Sequence, residues 1–410
     1  MPHALALAVE IATTALAVAC MGFFVASLVA ARVFLRARRR MLRTIAHPSA
    51  VAAPGISILK SLKGVDAGML DAFRSHCRQT YSGAFELLFG VASLQDPAAA
   101  EVEKLQREFP DLSIRLFECP LRLGTNGKVS TLVQLAPHAR YDILLINDSD
   151  IAVSPRYLER VAAAFATAVP SSNEPAPVGL VTALYRGRAH GSVFRGGMAA
   201  QFESLGISTD FMAGVLLSRM LEGGLHYGLG STLAVRREAL EAIGGLEQLV
   251  DQLADDYELG ARVARAGYRV ELCAEAVETS VPAYGWRGFF DHQLRWLRTV
   301  RDARPAGYAG LLFTHGLGWA VLNVVASGLS PVSLWLLALS FFLRLSVAMT
   351  VGAEVLSDRQ VLPYLWLLPL RDLVAMALWV GGFAGHTIVW RGERFVLRQG
   401  KLEKETAARS

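Results

Sequence analysis

The apolar run Ile143-Leu-Leu-Ile146 leads straight into Asn147-Asp148-Ser149-Asp150, so a strand should deliver a pair of carboxylates at its end. If the strand geometry continues, alternation points Asp148 and Asp150 the same way. Oxygen ligands that close suit a hard divalent cation, Mg2+ or Mn2+, which keeps open positions for a diphosphate and neutralises a nucleotide leaving group. A plainer reading has Asp148 or Ser154-Pro155 capping the next helix, with the aspartates merely solvated. Alone, an Asp-x-Asp pair is weak evidence.

Asp255-Asp256-Tyr-Glu258-Leu-Gly260 opens an amphipathic helix with Leu259, Val263 and Ala266 on one face. Acidic residues in a first turn can simply answer the helix dipole. The chemical reading makes one carboxylate a general base, and Asp256 is favoured. Gly124-Thr-Asn126-Gly-Lys128 also precedes a helix, where backbone N–H groups and a lysine can hold phosphate; an ordinary helix start reads the same. Trp286 to Arg304 is expected to be a helix with Trp286, Phe290, Leu294 and Leu297 on one stripe and Asp291, Arg295 and Arg298 on another. The apolar stripe would lie at a membrane surface and Arg295 would bind diphosphate, unless it only pairs with Asp291. Phe211 to Leu221 is too short to span a bilayer and reads as core or as a lid over a lipid acceptor.

These residues need a scaffold. Apolar runs Ile56–Leu59, Phe85–Val91, Ser113–Phe117, Ile143–Ile146, Gly179–Leu184 and Arg269–Leu272 alternate with helical stretches Leu70–Cys77, Ala98–Glu108, Ser130–Leu135 and Tyr157–Thr167. That alternation predicts an α/β fold with a mostly parallel sheet covered on both faces. Ligands bind beyond the carboxyl ends of such strands, where Asp96 and Asp148 fall.

The 410 residues are 53% hydrophobic and only 19% charged, a membrane-class composition. Ile11 to Ala31 is apolar and long enough to cross a bilayer. Its basic flank, Arg32, Arg36, Arg38, Arg39, Arg40 and Arg43, follows the apolar run, as in an uncleaved anchor, and puts the N-terminus outside and the next segment in the cytoplasm. Leu311–Leu329, Pro331–Gly352 and Val361–Val389 are further candidates, each with a polar exception: His315, Arg344, and Arg371-Asp372. Three crossings there would leave Arg391, Arg394 and Arg398 outside, against the positive-inside rule; two crossings plus an interfacial helix would not. A net charge of +5 without a recognition module gives no case for nucleic acid. Cys20, Cys77, Cys119 and Cys273 lack metal or disulfide spacing and read as reduced, partly buried thiols.

The boundaries expected are 1–43 for the anchor, 44–55 for a Pro- and Ala-rich linker, 56–282 for the catalytic domain, 283–310 for the interface helix, 311–390 for the C-terminal transmembrane region and 391–410 for a tail that looks disordered after Gly400.

Taken in order, Asp96, Asp148-Ser-Asp150, Asp255-Asp256 and Arg295-Trp296 resemble the processive-type inverting glycosyltransferases with a D, DxD, D, (Q/R)xxRW signature. The stretch from Ile56 to Asp66, Asp96-Pro97, Gly124 to Lys128, Ala254 to Tyr257 and Trp390 to Arg398 are similar to its ceramide glucosyltransferase-like branch. Within that branch, His292-Gln-Leu-Arg295-Trp296 with Arg304-Pro-Ala-Gly-Tyr308 looks most like the bacterial hopanoid-biosynthesis glycosyltransferases, the ceramide enzymes standing second. His292 departs from the Gln or Arg of the signature, though Gln293 is adjacent. Asp150 is kept where animal-type ceramide enzymes have Gly.

The resemblance implies a GT-A-like (Rossmann-like) cytoplasmic domain on an integral protein of a bacterial inner membrane. It implies inverting transfer of N-acetylglucosamine or glucose from a UDP-sugar to a membrane lipid, a hopanoid polyol or ceramide, with Mg2+ or Mn2+. By position, Asp96, Asn126, Lys128 and Asp148 would serve the nucleotide, Asp148 and Asp150 the metal, Asp256 the acceptor as base, and Arg295 with Trp296 the diphosphate and acceptor mouth. One rival is an inactive membrane scaffold or transporter subunit, for which intramembrane Arg371 and Asp372 speak. Another is a polymerising synthase, which needs more crossing helices.

Overall fold

A computed structural model describes residues 2–45, 53–166, 176–190, 197–390, 393–398 and 400–404. Most of the expected linker, together with Thr167, Arg391 and the tail from residue 405, lies outside the described residues. The chain forms two compact units, each assembled from separate segments: Met1–Arg36, Arg186–Leu221 and Val281–Gln399, and Ala37–Tyr185, Glu222–Ser280 and Gly400–Ser410.

The second unit is built on an eight-stranded sheet. Its strands are β1 (Ile56–Leu62), β2 (Phe85–Val91), β3 (Ile114–Glu118), β4 (Ile143–Ile146), β5 (Ile151–Ala152), β6 (Val178–Ala189), β7 (Leu233–Arg236) and β8 (Arg269–Val281), in the order β3-β2-β1-β4-β7-β6-β8-β5. The run β3-β2-β1-β4 is parallel, with Ile56 opposite both Phe85 and Ile143. Every β4 residue is buried, as a strand covered on both faces demands. The helices Met69–Cys77, Pro97–Glu108 and Gly127–Leu135 connect these strands, so the carboxyl ends of β1, β2 and β4 open toward the same edge.

Beyond β4 the sheet turns antiparallel: β7 pairs with β4 and β6, and β5 with β8. The sheet is therefore mixed, and β7 has no counterpart among the strands read from sequence. Another expectation needs correction. The strand stops at Ile146 and a turn follows, so alternation does not carry through to Asp150. Likewise Lys401–Lys404 is a strand, β11, where disorder is expected; Lys401 bridges to Gln252, and Leu253 N–H donates to Gly400 O at 3.2 Å.

The first unit is mainly helical. Pro2–Ile45 is one helix running through the basic flank, with Ala17, Cys20, Phe24, Ser27, Ala31 and Phe34 buried on one face and Val18, Val25 and Val29 exposed. Three helices are long and apolar enough to cross a membrane: Ala4–Arg43, Pro331–Val355 and Leu362–Gly382. A fourth candidate, Pro305–Thr314 with Gly316–Ala326, is bent by 58° at His315, so the expected span Leu311–Leu329 is broken. The expected span Val361–Val389 also stops early, because the chain leaves its helix at Gly382 and enters the hairpin of β9 (Thr387–Trp390) with β10 (Glu393–Arg398). Met212, Val215 and Leu216 of the helix Met212–Leu221 are buried, which is the core reading of that segment.

The polar exceptions answer one another. Arg344, 2% exposed, donates to both oxygens of Asp372 at 2.7 and 3.1 Å and to Thr209. Arg371 pairs with Asp210 at 2.8 Å and Asp372 at 3.1 Å. Two cations and two carboxylates balance inside the unit. All four cysteines are free and buried.

Candidate active site

At the end of β4, the carboxylates of Asp148 and Asp150 take different partners. Asp148 Oδ1 lies 2.7 Å from Lys128 Nζ, and its side chain is 44% exposed. Asp150 Oδ2 instead accepts from Thr279 Oγ1 at 2.5 Å and from Ser280 N at 3.1 Å. Burial, and then the Asp148 charge, push the Asp150 carboxyl up. The turn between them is pinned from below by Lys60, which is wholly buried on β1 and donates from Nζ to Asp148 O at 3.0 Å. Burial lowers the Lys60 ammonium to about 7 against the pull of Asp150 and Asp148. Asn147 is buried beside it, donating to Ser231 O and Tyr157 Oη, with His76 Nε2 3.2 Å from its Oδ1. The sequence signals for this support are a lysine inside the apolar-rich run Ile56–Leu62 and its place in the stretch from Ile56 to Asp66.

Lys128 sits in the first turn of the helix Gly127–Leu135 and reaches Asp255 Oδ2 at 3.3 Å as well as Asp148, so one ammonium ties the β4 end to the helix Asp255–Arg265. These carboxylates hold its proton and raise it above the ordinary lysine range despite burial. Asn126 caps the helix through Val129 N and turns its amide onto Gln252 O at 2.8 Å and Asp255 Oδ1 at 3.4 Å. Being fully buried, it positions the Asp255 segment.

Asp256 follows in the same first turn. Its Oδ1 accepts from Tyr257 N at 2.8 Å. Its Oδ2 stands 2.9 Å, and Asp148 Oδ2 3.7 Å, from the point where a Cβ on Gly230 would be. Both carboxylates thus face one gap that exists because residue 230 has no side chain. Burial and the Asp255 charge raise the Asp256 carboxyl to about 6, against the pull of Lys128. Gly230 was not singled out from sequence; the Gly228-Leu-Gly230 pattern before β7 was its signal.

Asp96 caps the helix Pro97–Glu108 through Ala98 N, and both its oxygens accept from Gly64 N at 2.9 and 3.1 Å. It joins the ends of β1 and β2. Arg295 and Trp296 belong to the first unit, on the helix Trp286–Ala303. The Trp296 ring lies 5.5 Å from His292 and 5.9 Å from Phe211. His292 Nδ1 and Gln293 Nε2 both meet the buried carboxylate of Glu203, at 3.0 and 3.2 Å, so the two neighbours at the signature's variable position share one partner. Structure thus brings Lys128, Asp148, Asp255 and Asp256 together, with Lys60 and Asn126 beneath them.

Among the described residues no group of three or more His, Cys, Asp or Glu is arranged to hold a metal ion. A hard cation completed by phosphate oxygens needs only one or two carboxylates. The exposed, oxygen-only face of Asp148 fits that donor set; Asp150 Oδ2 is already engaged.

The chain is similar to several known proteins. Ceramide glucosyltransferase 3 of Caenorhabditis elegans is 24% identical over 368 residues, covering 85% of this chain and 73% of its own, and ceramide glucosyltransferase 1 of the same organism is 24% identical over 358 residues. A ceramide glucosyltransferase of Komagataella phaffii is 30% identical over 147 residues, 35% of this chain. Among solved structures, a mannosyltransferase of Pyrobaculum calidifontis in complex with GDP-mannose and Mn2+ overlays with a TM-score of 0.46 and 18% identity, over 90% of this chain and 97% of that one. The fold is mixed α/β, with acids at the ends of its parallel strands. The model for glycosyl transferase family 21 matches residues 16–403, nearly the whole sequence, and the chain belongs to that family of nucleotide-sugar glycosyltransferases.

Proposed function

We propose that this protein moves N-acetylglucosamine or glucose, with inversion, from a UDP-sugar to a hydroxyl of a membrane lipid. The observation that carries the reading is the pair Asp148 and Asp256, facing one gap over Gly230 with Lys128 alongside. Inversion by direct displacement needs one base and no covalent nucleophile. Asp256, held near the pH at which a base works best, takes the proton of the acceptor hydroxyl as that oxygen attacks the anomeric carbon. Lys128 stays charged and lowers the repulsion that a diphosphate meets beside Asp148 and Asp255. A divalent cation held by Asp148, with Asp150 adjoining, would supply charge neutralisation for the UDP leaving group. Asp96 and Asn126 shape the nucleotide side, and Arg295 and Trp296 serve the diphosphate and acceptor.

The acceptor we favour is a hopanoid polyol, on the resemblance of the His292–Tyr308 stretch. Ceramide is the second reading, and the names of the curated relatives support it. The catalytic part is assigned to 56–282, on the cytoplasmic side of a bacterial inner membrane, with the candidate spans as anchors. Purified protein given Mg2+ or Mn2+, a panel of UDP-sugars, and either hopanoid polyol or ceramide decides between them by mass spectrometry of products. A glycosylated hopanoid is expected; glucosylceramide moves the assignment to the second reading; no product with any pair removes both and points to a scaffold.

A further inference from the structure

The helix Trp286–Ala303 carries Arg295 and Trp296, so whatever fixes its rotation about its own axis decides where those side chains point. Phe202 packs edge-on against two of its rings, Trp286 at 5.2 Å and Phe289 at 6.3 Å. Apolar contact of this kind holds the helix close but is non-directional, and it tolerates a small turn or slide.

The next residue, Glu203, supplies direction. It is 4% exposed and stands on the helix Met198–Gly206, in which every residue from Ala199 to Gly206 is buried. A carboxylate withdrawn from water needs donors. Among the described residues its side-chain partners are two chain neighbours: His292 Nδ1 lies 3.0 and 3.1 Å from its oxygens, and Gln293 Nε2 donates at 3.2 Å. Consecutive residues of a helix point about 100° apart. One fixed carboxylate reached by both therefore sets the helix's rotation, which a single contact would not.

Trp296 stands one turn beyond His292, on the same side of the helix. Its ring lies 5.5 Å from the His292 ring and 5.9 Å from that of Phe211. A carboxylate only accepts, so His292 donates from Nδ1, and that bond fixes the plane of the imidazole against which Trp296 rests.

We propose that Glu203 is a positioning residue, which sets the rotation of this helix through His292 and Gln293 and thereby aims Trp296 at the acceptor. The proposal rests on the reading of Trp296 at the acceptor mouth. Glu203 acts through its two partners and is not placed in the chemistry of transfer.

The test labels the full chain in nanodiscs with 5-fluorotryptophan and follows the fluorine resonance of Trp296, assigned by its loss in Trp296→Phe, with no sugar nucleotide or acceptor present. Wild type should give one Trp296 line. Glu203→Leu should move or split it, and Gln293→Leu should move it less. The double variant should match Glu203→Leu alone, since Gln293 has then lost the group it donates to. Unmoved lines from Trp319, Trp335, Trp366 and Trp379 report an intact fold. Where Glu203→Leu disturbs those lines, Gln293→Leu and Glu203→Gln, which keeps one accepting oxygen, decide by the same comparison. In transfer assays with whichever of hopanoid polyol and ceramide the wild type glycosylates, Glu203→Leu should raise the acceptor's KM about tenfold, the size of one hydrogen bond to a charged group, with kcat held within about threefold. A Trp296 line that stays in place without the Glu203 carboxylate, or effects of Glu203→Leu and Gln293→Leu that simply add, overturns the proposal. A moved line with an unchanged acceptor KM sustains the positioning by Glu203 and removes Trp296 from the acceptor mouth.

Discussion

Asp256 must be ionised to accept a proton. With its carboxyl raised to about 6, the base is protonated below that pH and free above it. The expected kcat/KM of the free enzyme therefore climbs through about pH 6 as one proton is lost, then levels; a profile already flat from pH 5 upward would contradict a base with this environment. Asp256→Asn should cost about 10²- to 10⁴-fold in turnover while leaving UDP binding intact, since only the proton acceptor is removed. Lys128→Met acts differently. Removing the one cation between Asp148 and Asp255 leaves the carboxylates to repel one another, which pushes Asp256 further up. Its acid limb should move to higher pH and its UDP affinity should fall; an unmoved limb would mean that Lys128 does not act on Asp256. Asp148 stood out in the sequence by following the apolar run Ile143–Ile146, and Lys128 and Asp256 by standing in the first turn of an expected helix. Lys60 did not, because a buried lysine announces itself only through what surrounds it in space.

At the scale of elements, the site depends on how closely the helix Asp255–Arg265 approaches the loop before β7. A Cβ on Gly260 would stand 2.1 Å from Gly228 N, against backbone that cannot swing aside, whereas a Cβ on Gly230 would meet the side-chain carboxylates of Asp256 at 2.9 Å and Asp148 at 3.7 Å. The two substitutions should therefore separate. Gly260→Ala should destabilise the unit by about 1–3 kcal/mol, seen as a lowered thermal midpoint. Gly230→Ala should leave that midpoint nearly unchanged yet lower turnover by about 10²-fold, because a misplacement of about 1 Å at the base suffices. Equal effects on stability and turnover from both would show that the gap over Gly230 is not where transfer occurs. The parallel half of the sheet could be read from sequence because its strands are apolar-rich runs between helices. The antiparallel half could not. β7 is four residues long, and Leu233-Ala-Val-Arg236 has no period that separates a strand from a helix start. The turn after Ile146 likewise depends on the support of Lys60 and Asn147 rather than on local spacing.

For the whole molecule, the open question from sequence was how many helices cross and where the tail lies. Composition alone permits either parity. The fold narrows it, because Gly400 and Lys401 join Leu253 and Gln252 within the unit that holds Asp148 and Asp256. Tail and catalytic unit must then lie on one side of the bilayer, which requires an even number of crossings between Ala37 and Gly400. Pro331–Val355 and Leu362–Gly382 supply two. The bent pair must enter and leave on the same face, which its geometry suits: pieces of ten and eleven residues reach only about 15–17 Å each, short of a hydrocarbon core of about 30 Å. With the catalytic unit on the proposed cytoplasmic side, this parity would put the arginines beside the apolar helices there too, as the positive-inside bias asks. Because the four native thiols are buried, introduced cysteines can report this directly. Glu403→Cys and Asp71→Cys, both in the catalytic unit, should react with a membrane-impermeant maleimide in inside-out vesicles and be protected in right-side-out ones. Labelling of the two from opposite faces would restore the bent pair as a full crossing and separate the tail from the unit it folds with.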